Sequence, residues 1–190
     1  MLHPELQAAV SKMIKLNKSE WQLFNEAFVH RSVPKKFNLL EPGQVAREAY
    51  FVVKGATRLY YLKDGEDISA NFIFENGFIT SLESFLLRNP SRQGVDTLED
   101  TELLVITKEK LDALTLAYPV FHQFSRAIAE WGFIMLQQRA SSFILDSPEE
   151  RYYNMLQQRP EIMERVPQHM IASFLGITPV SLSRIRKRIS

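Results

Sequence analysis

The chain has 190 residues, 45% of them apolar and 24% charged, with a formal net charge of +1 and no cysteine. That is enough for one medium domain or two small ones around a real core, and it excludes disulfides, a thiolate nucleophile, thiolate zinc sites and cysteine-held iron–sulfur clusters. No stretch approaches the roughly 18 consecutive apolar residues of a membrane span, and the start has neither the basic nor the apolar region of a secretion signal, so a cytoplasmic protein is expected.

The small net charge conceals an asymmetry. Arg184, Arg186, Lys187 and Arg188 fall within the last seven positions and no carboxylate follows Glu164, while residues 1–165 hold the other 19 basic and all 22 acidic residues. A cationic patch confined to one end suits a polyanion, because each neutralised phosphate releases counterions. A solvated tail is the plainer alternative.

In chain order, Leu6, Ala9, Val10, Met13 and Ile14 recur at helical spacing, and Ser19 followed by Glu20 and Gln22 reads as an N-cap before Trp21, Phe24 and Phe28. From Val33 to Thr107 the rhythm becomes that of short strands, "YFVVKG", "ATRLYYL", "DISANFIF" and "TELLVIT", separated by turn residues. Asp64-Gly65 is the short-range hairpin signal. This density of strands predicts a small antiparallel sandwich or barrel.

A long helical pattern runs from about Lys108 to Leu145, interrupted at Tyr118-Pro119. Phe121, Phe124, Ile128, Trp131, Met135 and Gln138 form a seam over a helix of about residues 118–145. Such a seam either covers the β-domain or pairs with a second copy, and one helix can do both. "LDSPEER" then marks a boundary: Ser147 is an N-cap, Pro148 tolerates the first helical position and Glu150 completes a capping box. The expected division is 1–145 and 146–190.

In the second part, Ile171, Ala172, Leu175, Ile177, Leu182 and Ile185 flank Gly176. Two steeply crossed helices need a small residue where they approach, and Ala172 supplies it; Gly176 can take the left-handed turn. Thr178 caps the second helix and Pro179 occupies its first position. Val180, Ser181, Arg184, Lys187 and Arg188 are left facing outward. Arg184 is the candidate for base reading, because its fork fits guanine O6 and N7, while Ser181, Arg186, Lys187 and Arg188 suit the phosphate backbone.

"RVPQHMIASFLGITPVSLSRIRKRI" resembles the DNA-binding end of Crp/Fnr-type bacterial transcription regulators, and the upstream order of leading helices, β-strands and long helix resembles that family over nearly the whole chain. The resemblance implies an α+β architecture. An N-terminal antiparallel β-roll of the cyclic-nucleotide-binding type, with flanking helices and a dimerising helix, precedes an all-α helix-turn-helix domain without a full wing. It implies a homodimer reading an inverted-repeat operator in double-stranded DNA, positioned by an effector or by the apo state of the β-roll, with RNA polymerase as a further partner. The DNA-binding set it implies is Thr178, Val180, Ser181, Arg184, Arg186, Lys187 and Arg188.

Departures from the family pattern limit the carry-over. In "FITSLESFLLRNPSRQGV", Thr80 and Ser81 stand where Gly and Glu hold the ribose of cyclic AMP. Ser91 stands at the arginine position, with Arg92 one residue later. These four positions define the candidate effector pocket, and cyclic AMP is not expected there. Arg58, Arg88 and Arg92 are left to serve another anion or to be solvated, and Phe72, Phe74, Phe78 and Phe85 are bulky enough to fill the pocket. Val180 replaces the usual Glu, which removes a base-reading acceptor. Neither an enzyme nor a metal site is expected, since His3, His30, His122 and His169 lie one per region and no cofactor is implied. The alternative function is a cyclic-nucleotide-binding-like signal or protein-interaction module that has lost DNA binding.

Overall fold

The computed structural model describes residues 3–189. Two short helices lead, α1 (Pro4–Val10) and α2 (Lys18–Glu26). The cap of α2 is Asn17 rather than Ser19: Asn17 Oδ1 accepts from the Glu20 N–H at 3.0 Å, and the Glu20 carboxylate accepts from the Asn17 N–H at 2.7 Å. This reciprocal pair satisfies two end groups at once, which Ser19 could not do from inside the first turn.

The strands follow: β1 (Val29–Val33), β2 (Asn38–Leu40), β3 (Glu48–Lys54), β4 (Thr57–Lys63), β5 (Glu66–Ile73) and β6 (Phe78–Ile79). After the short helix α3 (Leu82–Leu87) come β7 (Gln93–Thr97) and β8 (Thr101–Thr107). Among the described residues they form two antiparallel four-stranded sheets, in the orders β1-β8-β3-β6 and β2-β7-β4-β5. Asp64 and Gly65 both adopt positive φ, 54° and 83°, and join β4 to β5 where Lys63 pairs with Glu66, the tight hairpin that Asp-Gly specifies. Gly55 is required for a second reason: at φ 106° a Cβ would lie 2.6 Å from Thr101 Oγ1 and 2.9 Å from the Asp100 carbonyl. Phe51, Val52, Val95, Leu103 and Leu104 are fully buried between the sheets and the leading helices.

Helix α4 (Lys108–Ala117) ends at Tyr118, and α5 (Phe121–Leu145) starts after Pro119. The first turns of α5 belong to the core. Phe121 stacks on Phe24 at 5.5 Å, and Phe124 meets the same ring edge-on at 5.0 Å. The last part comprises α6 (Pro148–Gln158), α7 (Glu161–Arg165), α8 (Gln168–Leu175) and α9 (Pro179–Ile189). Ser147 and Glu150 make the expected capping box of α6. The second apolar cluster contains Tyr152, Met155, Ile162, Ile171, Ala172, Leu175, Leu182 and Ile185, and also Ala56, Phe72 and Leu98 from the strand region.

Candidate nucleic-acid interface and effector cassette

The turn between α8 and α9 is built as its residue types require. Gly176 takes φ 69°, ψ 33°, and the Ile177 N–H returns to the Ala172 carbonyl at 3.0 Å, closing α8 with a left-handed cap. Ala172 is fully buried where the helices meet. Thr178 Oγ1 accepts from the Ser181 N–H at 3.1 Å and so caps α9, while Leu182 and Ile185 are buried, 1% and 4% exposed.

With that face fixed, Val180, Arg184, Lys187 and Arg188 stand exposed, whereas Ser181 and Arg186 are half-buried. Val180, Arg184 and Lys187 follow at i, i+4 and i+7, a stripe about 10 Å long at the helical rise of 1.5 Å. Ser183 shares this exposed face. Its position one turn after Val180 was the available signal, and neither charge nor family pattern drew attention to it. Arg188 lies 3.5 Å from Glu149 on the surface, a pairing weak enough for a phosphate to displace.

The four cassette positions are divided. Ser81 and Ser91 come together, both buried, with their hydroxyl oxygens 2.8 Å apart. Ser81 donates to Gln93 Oε1 at 3.0 Å, and Ser91 Oγ accepts from the Gln93 N–H at 2.9 Å and lies 2.7 Å from the Gln93 carbonyl. Gln93 Nε2 reaches Tyr61 OH at 2.7 Å. Thr80 turns away and donates to the Glu48 carbonyl at 2.9 Å, lining an open cleft of about 350 Å³ with Leu39, Leu40, Val45, Tyr50 and Val95. Arg92 is exposed. Ser81 and Ser91 therefore spend their hydroxyls on Gln93, and none of the four places a cation beside them.

Arg58 and Arg88, the other two arginines considered for an anion, are both paired. Arg58 is 4% exposed and is held by Asp96 and Asp67, each at 2.6 Å. Burial alone would weaken its charge, but the two carboxylates outweigh it and raise the guanidinium above its ordinary value. Arg88 pairs with Glu109. Of the four bulky phenylalanines, Phe78 contacts Phe51 and Phe124, and Phe85 is buried in the same core, whereas Phe72 and Phe74 belong to the second cluster.

The seam expected over Phe121, Phe124, Ile128, Trp131, Met135 and Gln138 is split. Phe121 and Phe124 are 0% and 4% exposed, and Ile128 packs on the same core. Phe121 and Phe124 are thus spent on the chain's own β-domain, with Ile128 partly buried beside them. Further along α5, Trp131 continues the same stripe but is exposed, as are Phe133, Ile134, Leu136, Ile144 and Leu145 around the helix. Ile134, Gln137, Gln138, Ser141 and Leu145 line a shallow groove along it. His122 and His169 are exposed, His30 sits 3.5 Å from Glu102, and no metal-sized group of His, Asp and Glu occurs among the described residues.

Comparison with known proteins agrees with this architecture. Residues 30–118 match the family model of the cyclic nucleotide-binding domain. No curated protein matches the sequence, whereas 403 chains of solved structures match the fold. FixK2 from Bradyrhizobium japonicum superposes with a TM-score of 0.73 at 17% identity, covering 85% of this chain and 84% of its own. The c-di-GMP-responsive global regulator CLP from Xanthomonas campestris gives 0.72 at 19%, covering 91% of each. A protein from Eubacterium rectale assigned to the Crp/Fnr family of transcriptional regulators gives 0.72 at 17%, covering 91% of this chain and 83% of its own. The chain thus contains a cyclic nucleotide-binding domain. Taken whole, it has the fold of the Crp/Fnr regulators.

Proposed function

We propose that this chain is a sequence-specific DNA-binding transcription regulator that acts as a homodimer. The observation that carries the reading is the exposed, acid-free face of α9. Leu182, Ile185, Ala172 and the Gly176 turn bury one side of the helix, and Arg184, Lys187 and Arg188 are presented together on the other. A helix that places its first turns in the major groove puts Val180 and Arg184 near base edges and Lys187 and Arg188 near phosphates. Val180 is 61% exposed, and an apolar group at that depth suits a thymine methyl.

The exposed apolar residues of α5 support pairing with a second copy, in which Trp131 of the expected seam is joined by Ile134 while Phe121 and Phe124 stay in the chain's own core. Two-fold pairing makes the operator an inverted repeat. The closed Ser81–Ser91–Gln93 network supports a regulator that does not take cyclic AMP, and a DNA partner implies the compartment that holds the chromosome. RNA polymerase is the partner through which such a dimer would act on transcription.

The test is selection of duplexes from a random pool with the full-length protein. An inverted repeat should be recovered, and Arg184→Gln/Lys187→Gln/Arg188→Gln should abolish recovery while leaving the unfolding transition intact, since all three side chains are exposed. Failure to enrich any sequence, with the dimer intact, would favour an interaction module without DNA binding.

A further inference from the structure

β5 is the outer strand of its sheet, with β4 on one side and, among the described residues, no strand on the other. An edge strand leaves main-chain N–H and C=O groups unpaired and must be covered or blunted. Here the cover comes from the end of α5 and from the helices that follow it. The Ser69 N–H donates to Ser173 Oγ of α8 at 3.1 Å. Arg139 Nη2 donates to the Phe174 carbonyl at 3.0 Å and reaches the Ser69 carbonyl at 3.4 Å. The Phe72 carbonyl accepts from Arg159, the residue that caps the C-terminus of α6, whose other amino group donates to Asn71 Oδ1 at 3.0 Å. The register explains why residues 69 and 72 face outward: Tyr60 pairs with Ser69 and Leu59 with Asn71, so Ala70 is a bulge and the alternation shifts by one.

Around this strip the junction is aromatic. Phe72 and Phe174 lie 5.3 Å apart, and Arg139 stacks over Phe174 at 4.3 Å and Phe143 at 5.0 Å. At the far end Arg165 of α7 holds Glu75 through two hydrogen bonds of 2.7 and 2.8 Å and also pairs with Glu99. Arg139 and Arg159 have no carboxylate within ion-pair distance among the described residues, and burial lowers both below the usual guanidinium value, Arg139 to about 10. A charge without a counter-ion is disfavoured at such a place unless its forked donors serve a geometry that nothing else can. Arg159 spreads its two amino groups over an amide oxygen and a carbonyl of β5, and Arg139 bridges carbonyls of β5 and α8 through one Nη2.

We propose that the free edge of β5 is the seat of the DNA-reading domain: Arg139, Ser173, Arg159 and Arg165 are positioning residues that hold α8, and through it α9, in one orientation without a bound ligand. Val180, Arg184, Lys187 and Arg188 stay exposed, so the contact sets orientation and does not occlude them. The β-roll and the last four helices are then a single cooperative unit, and residues 146–190 lack a complete core of their own, since Ala56, Phe72 and Leu98 supply part of it. The consequence for DNA rests on the function proposed above, whereas the fixed orientation does not.

The absence of cysteine allows clean labelling. Spin labels at Lys63→Cys and Gln157→Cys, both exposed sites, are measured in full-length protein diluted with unlabelled chains, so that only intrachain distances count. One narrow distance distribution, unchanged by cyclic AMP, is expected. In Arg159→Gln/Arg165→Gln it should broaden, and operator affinity should fall about tenfold if the competent orientation drops to roughly a tenth of the population. Arg159→Lys, which keeps the charge but not the fork, should broaden it too. If the double variant fails to fold, Ser173→Ala and Arg159→Lys carry the test. A broad distribution in the parent protein, or a narrow one in every variant, overturns the proposal. A narrow distribution in a protein that selects no DNA would leave the seat standing and overturn the DNA-binding function instead.

Discussion

Gly176→Ala probes the turn on which the placement of α9 depends. At φ 69° an L-residue pays a backbone penalty of about 1–2 kcal/mol. The added Cβ would also lie 2.7 Å from Phe143 Cε1; Phe143 is 43% exposed, but moving its ring gives up the stacking on Arg139 at 5.0 Å and Arg151 at 4.8 Å. Forcing it off its rotamer adds roughly 0.5–1.5 kcal/mol, for a total of about 1.5–3.5 kcal/mol. At roughly 2–4 °C per kcal/mol for a chain of this size, the melting temperature should fall by about 3–14 °C. Gly65→Ala is the internal control: φ is 83°, but nothing lies within 4 Å of its Cβ, so only the backbone penalty applies. A double-mutant cycle with Phe143→Ala isolates the contact, and the combined loss should be smaller than the sum by about the steric share. Equal losses at Gly65 and Gly176, or a strictly additive cycle, would refute the close packing of the turn on α5.

Leu182→Ala removes a side chain 1% exposed on the buried face of α9 and should lower stability by about 2–5 kcal/mol in urea unfolding; a loss within the error of the extrapolation would mean that α9 is not anchored there. Ile134→Glu places a charge on the open face of α5, where Ile134 is 51% exposed, and sedimentation should shift from dimer toward a folded monomer, whereas an unchanged dimer would place the pairing surface elsewhere. Acid titration of stability examines the far lock of the β5 seat. Hydrogen bonds from Arg165 hold the Glu75 carboxyl down at about 2, against an ordinary 4.5. A lowered folded value means that this stabilisation is complete above 4.5 and disappears as pH falls from there toward about 2. Glu75→Gln should lack that component, and parallel acid profiles for parent and variant would contradict it.

Much of the molecule is legible in its sequence because the relevant signals are local. Asp64-Gly65 demands a particular hairpin, Ser147 and Glu150 sit three apart as a capping box must, and Ala172, Gly176 and Thr178 each have one role that suits their side chain. The cap of α2 was displaced by two residues because Asn17 and Ser19 are both good capping residues and Glu20 pairs reciprocally with only one of them. α5 was harder for a different reason. It has apolar residues on two sides, so spacing alone could not say that Phe121 and Phe124 face the chain's own core while Phe133 and Ile134 stay uncovered. The junction at β5 was not legible at all. Its acceptors are main-chain carbonyls of Ser69, Phe72 and Phe174, which have no sequence signature, and its donors look like ordinary surface arginines until the fold brings them together. Arg58 is similar, since Asp96 lies 38 residues away in the chain.

In this account, anchoring on one side of α9 creates reading on the other, and the most direct test compares two exposed residues of that helix. Titrations of the selected operator should show log affinity falling linearly with log salt. Arg184→Ala should then cost about 1–3 kcal/mol and relax preference at one base pair, while Lys187→Ala should weaken all sequences alike and reduce the salt slope by about one. Binding that is indifferent to salt, or unaltered by either substitution, would contradict DNA recognition through α9.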